Sequence, residues 1–206
     1  MITRFFPVLF AVFIVVDPLG LVPLYIGITA GIPEARKKRI VTEAVLIAFV
    51  VLAVFIVLGR WILTALGIQA GAFFIAGGIL LFIVSLEMLF GRPTQSKVSL
   101  LETPEGGEAD SVAVFPLAIP MLAGPGTITT IILFTSSGDE LPMTLMLFAA
   151  LGITMAATWI ILRVSRYILR VLGRTGVSVI ERIIGLLLSG LSIQFIYNGV
   201  VKLGLL

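Results

Sequence analysis

The residues able to do chemistry in this 206-residue chain fall in two short motifs and one isolated acid. Asp17-Pro18-Leu19-Gly20-Leu21 sets an acid, a proline and a glycine inside an apolar run that extends from Phe5 to Ile28. Ala123-Gly124-Pro125-Gly126-Thr127, with Thr130 one turn further on, interrupts a second apolar run 107 residues later, counted from Pro18 to Pro125. Glu87 is the isolated acid, near the end of a third run. Proline removes a backbone donor and clashes with the preceding turn, so each motif breaks a helix. The backbone groups released by such a break must be satisfied by protein or by a wet cavity, because hydrocarbon offers no partner. The chemistry these residues suit is binding of a small polar solute rather than bond making.

The residues that are missing narrow the choice. The chain has no cysteine and no histidine. That excludes disulfides, thiolate metal sites and thiol catalysis, and it leaves no Ser-His-Asp triad and no HExxH metal helix. Asp17 has no second membrane aspartate for a carboxylate pair, and Gly124-Pro125-Gly126 is too short to cradle a nucleotide. We therefore expect no catalytic residues, no metal site, no cofactor and no enzymatic activity. A coupling ion, H+ or Na+, is the one small partner beyond the solute itself.

The chain is 59% hydrophobic and 12% charged, which marks an integral membrane protein. Six apolar runs are long enough to cross ~30 Å of hydrocarbon: Phe5 to Thr29, Ile40 to Leu66, Ala70 to Phe90, Val112 to Thr135, Leu141 to Leu162 and Val179 to Val201. The long polar stretch 92–111, with Glu102, Glu105, Glu108 and Asp110, reads as a solvated linker. Six spans put both termini on one side, with Arg4, Arg60 and Lys202; the other side holds the remaining eleven Lys and Arg residues. The positive-inside rule makes that basic side cytoplasmic and both termini extracytoplasmic, in a multi-pass protein of the inner (plasma) membrane. Between spans, the basic runs are topology signals, so no nucleic-acid partner is expected; membrane lipid is.

The two halves resemble one another. Arg60-Trp61-Ile62-Leu63 through Gly67 aligns with Arg166-Tyr167-Ile168-Leu169 through Gly173 at an offset of 106. At an offset of 107, Gly78-Ile79-Leu80-Leu81 aligns with Gly185-Leu186-Leu187-Leu188, Ser85 with Ser192, Glu87 with Gln194, Pro18 with Pro125 and Gly31 with Gly138. Three spans per copy is an odd number, so the second copy is inserted upside down, as in many secondary transporters. The expected fold is thus all-α and membrane-embedded: one domain over residues 1–206, with repeat one at 1–91, a cytoplasmic linker at 92–111 and repeat two at 112–206. Its first and fourth helices are broken at the midplane. Asp17 lies 12 residues from Phe5 and Pro125 lies 13 from Val112, which is ~18–20 Å of helix in each case.

Each break starts a second half-helix, so two helix N-termini, with unpaired amides and partial positive charge, are expected to face each other and hold a carboxylate. The ends of the first half-helices offer carbonyls to an ammonium group. Asp17, Pro18, Leu19, Gly20, Leu21, Ala123, Gly124, Pro125, Gly126, Thr127 and Thr130 are the expected substrate-binding residues. Asp17 and Glu87 are the candidates for ion coupling. Local readings compete: Asp17 as a helix cap, the threonines bonding their own backbone, and Glu87 pairing with Arg92. Ser85, Ser192 and Asn198 are expected to join helices, and Gly27-Gly31, Gly67-Gly71 and Gly152-Ala156 to pack them closely.

These motifs resemble the MarC family, within the wider LysE-like transporter group. The resemblance runs nearly end to end. It is carried by Val15-Val16-Asp17-Pro18-Leu19-Gly20 with Pro23, by Pro116-Leu117-Ala118-Ile119-Pro120 running into Ala123 to Thr130, by Ala76 to Phe82 with Glu87-Met88-Leu89-Phe90-Gly91, and by Gly185 to Leu188 with Gln194-Phe195 and Asn198-Gly199. Family members often have Asn where this chain has Leu21. The resemblance implies transport of small neutral amino acids such as glycine and alanine, driven by an ion gradient. The competing functions are a channel-like or export pathway for other small solutes or drugs, and a non-transporting membrane scaffold. Neither the oligomeric state nor the direction of transport follows from these residues.

Overall fold

The computed structural model describes residues 2–91, 113–136 and 140–205. The linker, Arg92, Lys97 and Gly138 lie outside the described residues. The chain forms α1 (Ile2–Val16), α2 (Leu21–Ile28), α3 (Glu34–Ala65), α4 (Ala70–Phe90), α5 (Ala113–Leu122), α6 (Pro125–Thr135), α7 (Glu140–Arg163) and α8 (Ser165–Lys202). Five helical stretches are long and apolar enough to cross a membrane, α1 and α2 together making one of them over Phe5–Ile28. The pair α5 and α6, bent by 42°, completes a sixth.

Two spans outrun the bilayer. α3 has 32 residues, ~48 Å at 1.5 Å per residue, so its charged first turns project from the apolar layer. α8 has 38 residues, but Gly173 (φ 65, ψ 176) breaks it. The piece before Gly173 carries Arg166 and Arg170, and the piece after it makes the span. The projecting ends are tied together. Arg166 pairs with Glu34, Lys37 pairs with Glu34 at 3.3 Å, and the Tyr25 hydroxyl donates to the Lys37 carbonyl. Trp159 Nε1 donates to Thr42 Oγ1 at 3.1 Å, and the Arg163 guanidinium lies 4.0 Å above the Trp159 ring. These contacts fasten α2, α3, α7 and α8 at the basic face.

α5 is irregular for a reason written in its sequence. Phe115 (φ −134, ψ 125) and Ile119 (φ −130, ψ 123) are extended, and each precedes a proline. A residue before proline is pushed out of the helical region by the ring. α5 is therefore a wide, interrupted turn, and its last residues lead into the Gly124-Pro125 break.

The apolar residues gather into two clusters. The larger joins α1, α2, α3, α5 and α7, with Val12, Val22, Ala44, Leu52, Leu117 and Leu151 fully buried, and takes in Ile131 of α6. The smaller joins α4 and α8 through Phe74, Leu81, Leu188 and Phe195, with Leu133 of α6 against it. α4 and α8 run antiparallel at close range. A Cβ added at Gly71 would lie 2.9 Å from the Gly199 carbonyl oxygen, one at Gly78 2.8 Å from that of Ser192, and one at Gly185 3.1 Å from that of Ser85.

This corrects two expectations about packing. Gly27, Gly31, Gly67 and Gly152 have open space where a Cβ would go, and of the glycines expected to pack helices only Gly71 makes a close contact. The serines do not bridge helices either: Ser85 donates to Phe82 O and Ser192 to Ser189 O, both on their own helix. Asn198 likewise accepts from Gln194 within α8. Glycine against backbone carbonyl makes the interface.

Candidate functional site

The break after α1 is tighter than the sequence suggests. Asp17 adopts φ 48, the only positive φ at a non-glycine among the described residues, a conformation Asp tolerates better than most side chains. That twist folds its own polar groups back over the turn. Its Oδ1 accepts from Gly20 N at 3.2 Å, its carbonyl accepts from Leu21 N, and the Leu19 carbonyl accepts from Val22 N. Pro23 has no N–H. The first amides of α2 are therefore taken, and the expected pair of exposed helix N-termini is reduced to one. Asp17 acts as the local cap, from just outside the formal cap position at Gly20.

The second break is open. Gly124 is extended (φ −80, ψ 168), Pro125 occupies the first turn of α6, and no side chain caps it. The prolines at 120 and 125 bracket the bend. Gly124 is needed because the chain passes against itself: a Cβ there would lie 2.5 Å from the Pro120 carbonyl oxygen. The amides of Gly126 and Thr127 thus stand at an uncapped helix N-terminus, which favours an anion.

Between the two breaks lies a cavity of about 420 Å³. Its lining includes Asp17, Gly20 and Leu21 from the first break and Gly124, Pro125, Gly126 and Thr127 from the second. Val84, Glu87, Met88 and Gly91 of α4 close one side, with Ser178 and Glu181 of α8. Of the expected binding residues, Pro18, Leu19, Ala123 and Thr130 are not in the lining. Pro18 and Ala123 are buried in packing, and the Thr130 hydroxyl donates to the Gly126 carbonyl at 2.9 Å. Both candidates for ion coupling, Asp17 and Glu87, line the cavity.

Glu181 is the acid the sequence did not single out. It lies at the start of the sixth apolar run, beside Arg182, where it reads as part of a charged helix end. A Cβ at Gly20 would lie 2.8 Å from both Glu181 Oε1 and Asp17 Cγ. The two carboxyl groups are therefore within about 6 Å of each other, close enough for their charges to interact. Among the described residues, three carboxylates and no Lys or Arg line this cavity, with the Arg182 guanidinium beside Gly91 at its edge. Among the described residues they do not converge as a metal-holding cluster. The lining thus combines amides at α6 with carboxylates from the α1–α2 turn, α4 and α8.

A second cavity, of about 470 Å³, shares Pro23, Leu24, Ser178 and Glu181 with the first and continues past Ile26 and Gly27 to Leu169 and Arg174. The central site therefore leads toward the basic face.

The MarC family model, described as an integral membrane protein family, matches residues 2–203. The chain belongs to the MarC family. A UPF0056 membrane protein of Methanocaldococcus jannaschii is 33% identical over 190 residues, covering 92% of each chain. One from Pyrococcus horikoshii is 36% identical over 188 residues, 91% of this chain and 90% of its own. The UPF0056 membrane protein YhcE of Escherichia coli is 34% identical over 199 residues, 95% and 93% of the two chains. No solved structure matches the chain.

Within this MarC-family fold the two candidate threonines separate cleanly. Thr127 faces the cavity, whereas the Thr130 hydroxyl is engaged with its own helix. Thr127→Val is expected to raise the half-saturating solute concentration ~2–10-fold, the worth of one neutral hydrogen bond. Thr130→Val should change it less than about twofold, since it removes only a bond within α6. Concentration-dependent flux in proteoliposomes measures both, and equal effects would remove Thr127 from the site.

Proposed function

We propose that this chain is a secondary transporter of small neutral amino acids such as glycine and alanine. It works by alternating access and is driven by a proton or sodium gradient. The observation that carries this reading is the central cavity, whose lining combines an uncapped helix N-terminus with carboxylates. The uncapped N-terminus of α6 suits the substrate carboxylate, through the Gly126 and Thr127 amides. Asp17, Glu87 and Glu181 suit the ammonium group and a coupling cation. Leu21, Val84 and Met88 add apolar lining, which suits a hydrogen or methyl side chain. A volume of about 420 Å³ is toward the small end of the ~300–1,000 Å³ usual for ligand sites. With the basic face cytoplasmic, the connected cavities open to the cytoplasm and both termini lie outside. A terminal tag cut by protease only from the cytoplasmic side would refute that orientation.

Reconstituted protein should show saturable flux of radiolabelled glycine or alanine, competed by the unlabelled compounds and increased by a proton or sodium gradient. The absence of saturable, competable flux for any small amino acid would overturn the proposal. Glu181→Gln keeps the shape and removes the charge. Its expected effect is a rise of ~10–100-fold in the half-saturating concentration, from losing a charge-assisted bond of about 1.5–3 kcal/mol. An unchanged half-saturation in Glu181→Gln would remove Glu181 from substrate recognition.

A further inference from the structure

The contacts between α4 and α8 repeat themselves. Gly78 meets the Ser192 carbonyl and Gly185 meets the Ser85 carbonyl. The 107-residue offset turns one contact into the other, since 78 maps to 185 and 85 maps to 192. The serine hydroxyls follow the same rule: Ser85 donates to Phe82 O and Ser192 to Ser189 O. Gly67 and Gly173, matched at offset 106, share a positive φ near 65°. Contacts in which each partner plays both roles define an isologous, twofold interface. Because α4 and α8 are antiparallel, that axis lies across them.

Such an axis should give the central site two equivalent approaches, one from each face. The structure treats them differently. On the basic face the approach is lined by Glu181, Met88 and Gly27. The residues at the 107-offset positions on the other face are Phe74, Phe195 and Phe134. Glu181 and Met88 are partly exposed and Gly27 is exposed; Phe74 and Phe195 are 1% and 4% exposed. The rings of Phe74 and Phe195 meet edge-on at 6.0 Å, and those of Phe134 and Phe195 at 5.7 Å. Lys202 lies over Phe74 with Nζ 4.8 Å from the ring centroid, and donates to the Ser136 carbonyl at 3.2 Å.

We propose that Phe74, Phe134 and Phe195, latched by Lys202, are the gate that shuts the site from the face opposite the basic one. This rests on the transport reading and adds to it the moving parts. α4 and α8, with their own apolar cluster, rock as a pair against the larger cluster. In the form described here the pair packs on α6 and meets α2 across the basic-face approach; in the alternate form it parts from α6 and closes on α2. Opening separates Phe134 on α6 from Phe74 and Phe195.

The cysteine-free chain allows a direct test. Leu133, fully buried on α6 beside Phe134, becomes a reporter as Leu133→Cys, treated in proteoliposomes with a membrane-impermeant thiosulfonate from one face at a time. Slow labelling is expected from the face opposite the basic one, at least tenfold faster when Phe195→Ala is added. Labelling from the basic face alone, or a rate that Phe195→Ala leaves unchanged, overturns the gate. In a second arm, Phe134→Cys and Phe195→Cys are joined by a short reducible cross-linker. Alanine flux should stop and return on reduction, while radiolabelled alanine still binds from the basic face. Unchanged flux in the fully cross-linked protein also overturns the gate. The two proposals fail separately. Opposite-face labelling of Leu133→Cys without flux of any small amino acid sinks the substrate assignment and leaves the gate standing. Saturable flux with Leu133→Cys never labelled from that face sinks the gate and leaves transport standing.

Discussion

Gly78→Ala is expected to loosen the α4–α8 pair and lower the melting temperature of the purified protein in detergent. The added Cβ would lie 2.6 Å from Ile196 Cγ1, 2.8 Å from Ser192 O and 3.0 Å from Ile196 N. Two of those atoms are backbone and cannot rotate aside, so the helices must part. Overpacking of this kind costs about 1–3 kcal/mol, and the better helix propensity of alanine returns up to about 1 kcal/mol. Gly185→Ala meets Met88 Cβ at 2.8 Å, Ser85 O at 3.1 Å and Leu89 N at 3.2 Å, so it should destabilise by a similar amount. Gly190, on the same helix, has nothing within 4 Å, and Gly190→Ala should be neutral or slightly stabilising. Thermal unfolding of the three variants side by side checks this. If Gly78→Ala melted with Gly190→Ala rather than with Gly185→Ala, the interface would not limit stability.

That contrast marks where the sequence was legible. Length and apolarity placed the spans, because crossing a bilayer leaves little freedom in either. Proline placed the breaks, because its effect on a helix is local and covalent. The wide turn of α5 was equally readable from Phe115-Pro116 and Ile119-Pro120, through the restriction on the preceding residue. The faces were less legible. Gly78 and Gly190 are chemically identical in an apolar run, and only the neighbouring helix makes one of them indispensable. Glu181 was hidden for the same reason: its sequence neighbour Arg182 suggests a solvated helix end, while the fold sets the acid in the cavity lining. The Asp17 turn shows a third limit. Whether an acid before proline leaves amides exposed or bonds them itself depends on one φ angle, and the sequence permits both.

The two breaks therefore have different duties, although they sit at matching positions. The first is closed by Asp17 and contributes charge; the second is open and contributes amides. An amino acid carries both charges, so the inequality of the breaks suits it better than two equal helix ends would. Two equal ends would hold an anion and leave the ammonium group facing positive dipoles.

Gly20→Ala tests this division of labour and should abolish most transport while leaving the fold intact. Gly20 has φ −66 and ψ −21, an ordinary helical conformation, so alanine introduces no backbone strain. The objection is space. The new methyl would fall on the Asp17 carboxylate, and 2.8 Å from Glu181 Oε1. Both carboxylates end in rotatable bonds and can swing away, so the helix survives, but Asp17 then loses its bond to Gly20 N. A hydrogen bond to a charged group is worth about 1.5–3 kcal/mol, and the displaced acids no longer present the same face to an ammonium group. Flux at subsaturating alanine should fall by at least about tenfold, with a drop in melting temperature no larger than the loss of that one bond implies. Gly152→Ala is the matched control, since it lines neither cavity and has nothing within 4 Å of the added carbon, and it should transport normally. Parental flux in Gly20→Ala would mean that the Asp17 turn only holds the chain together, and the ammonium end of the site would have to rest on Glu87 and Glu181 alone.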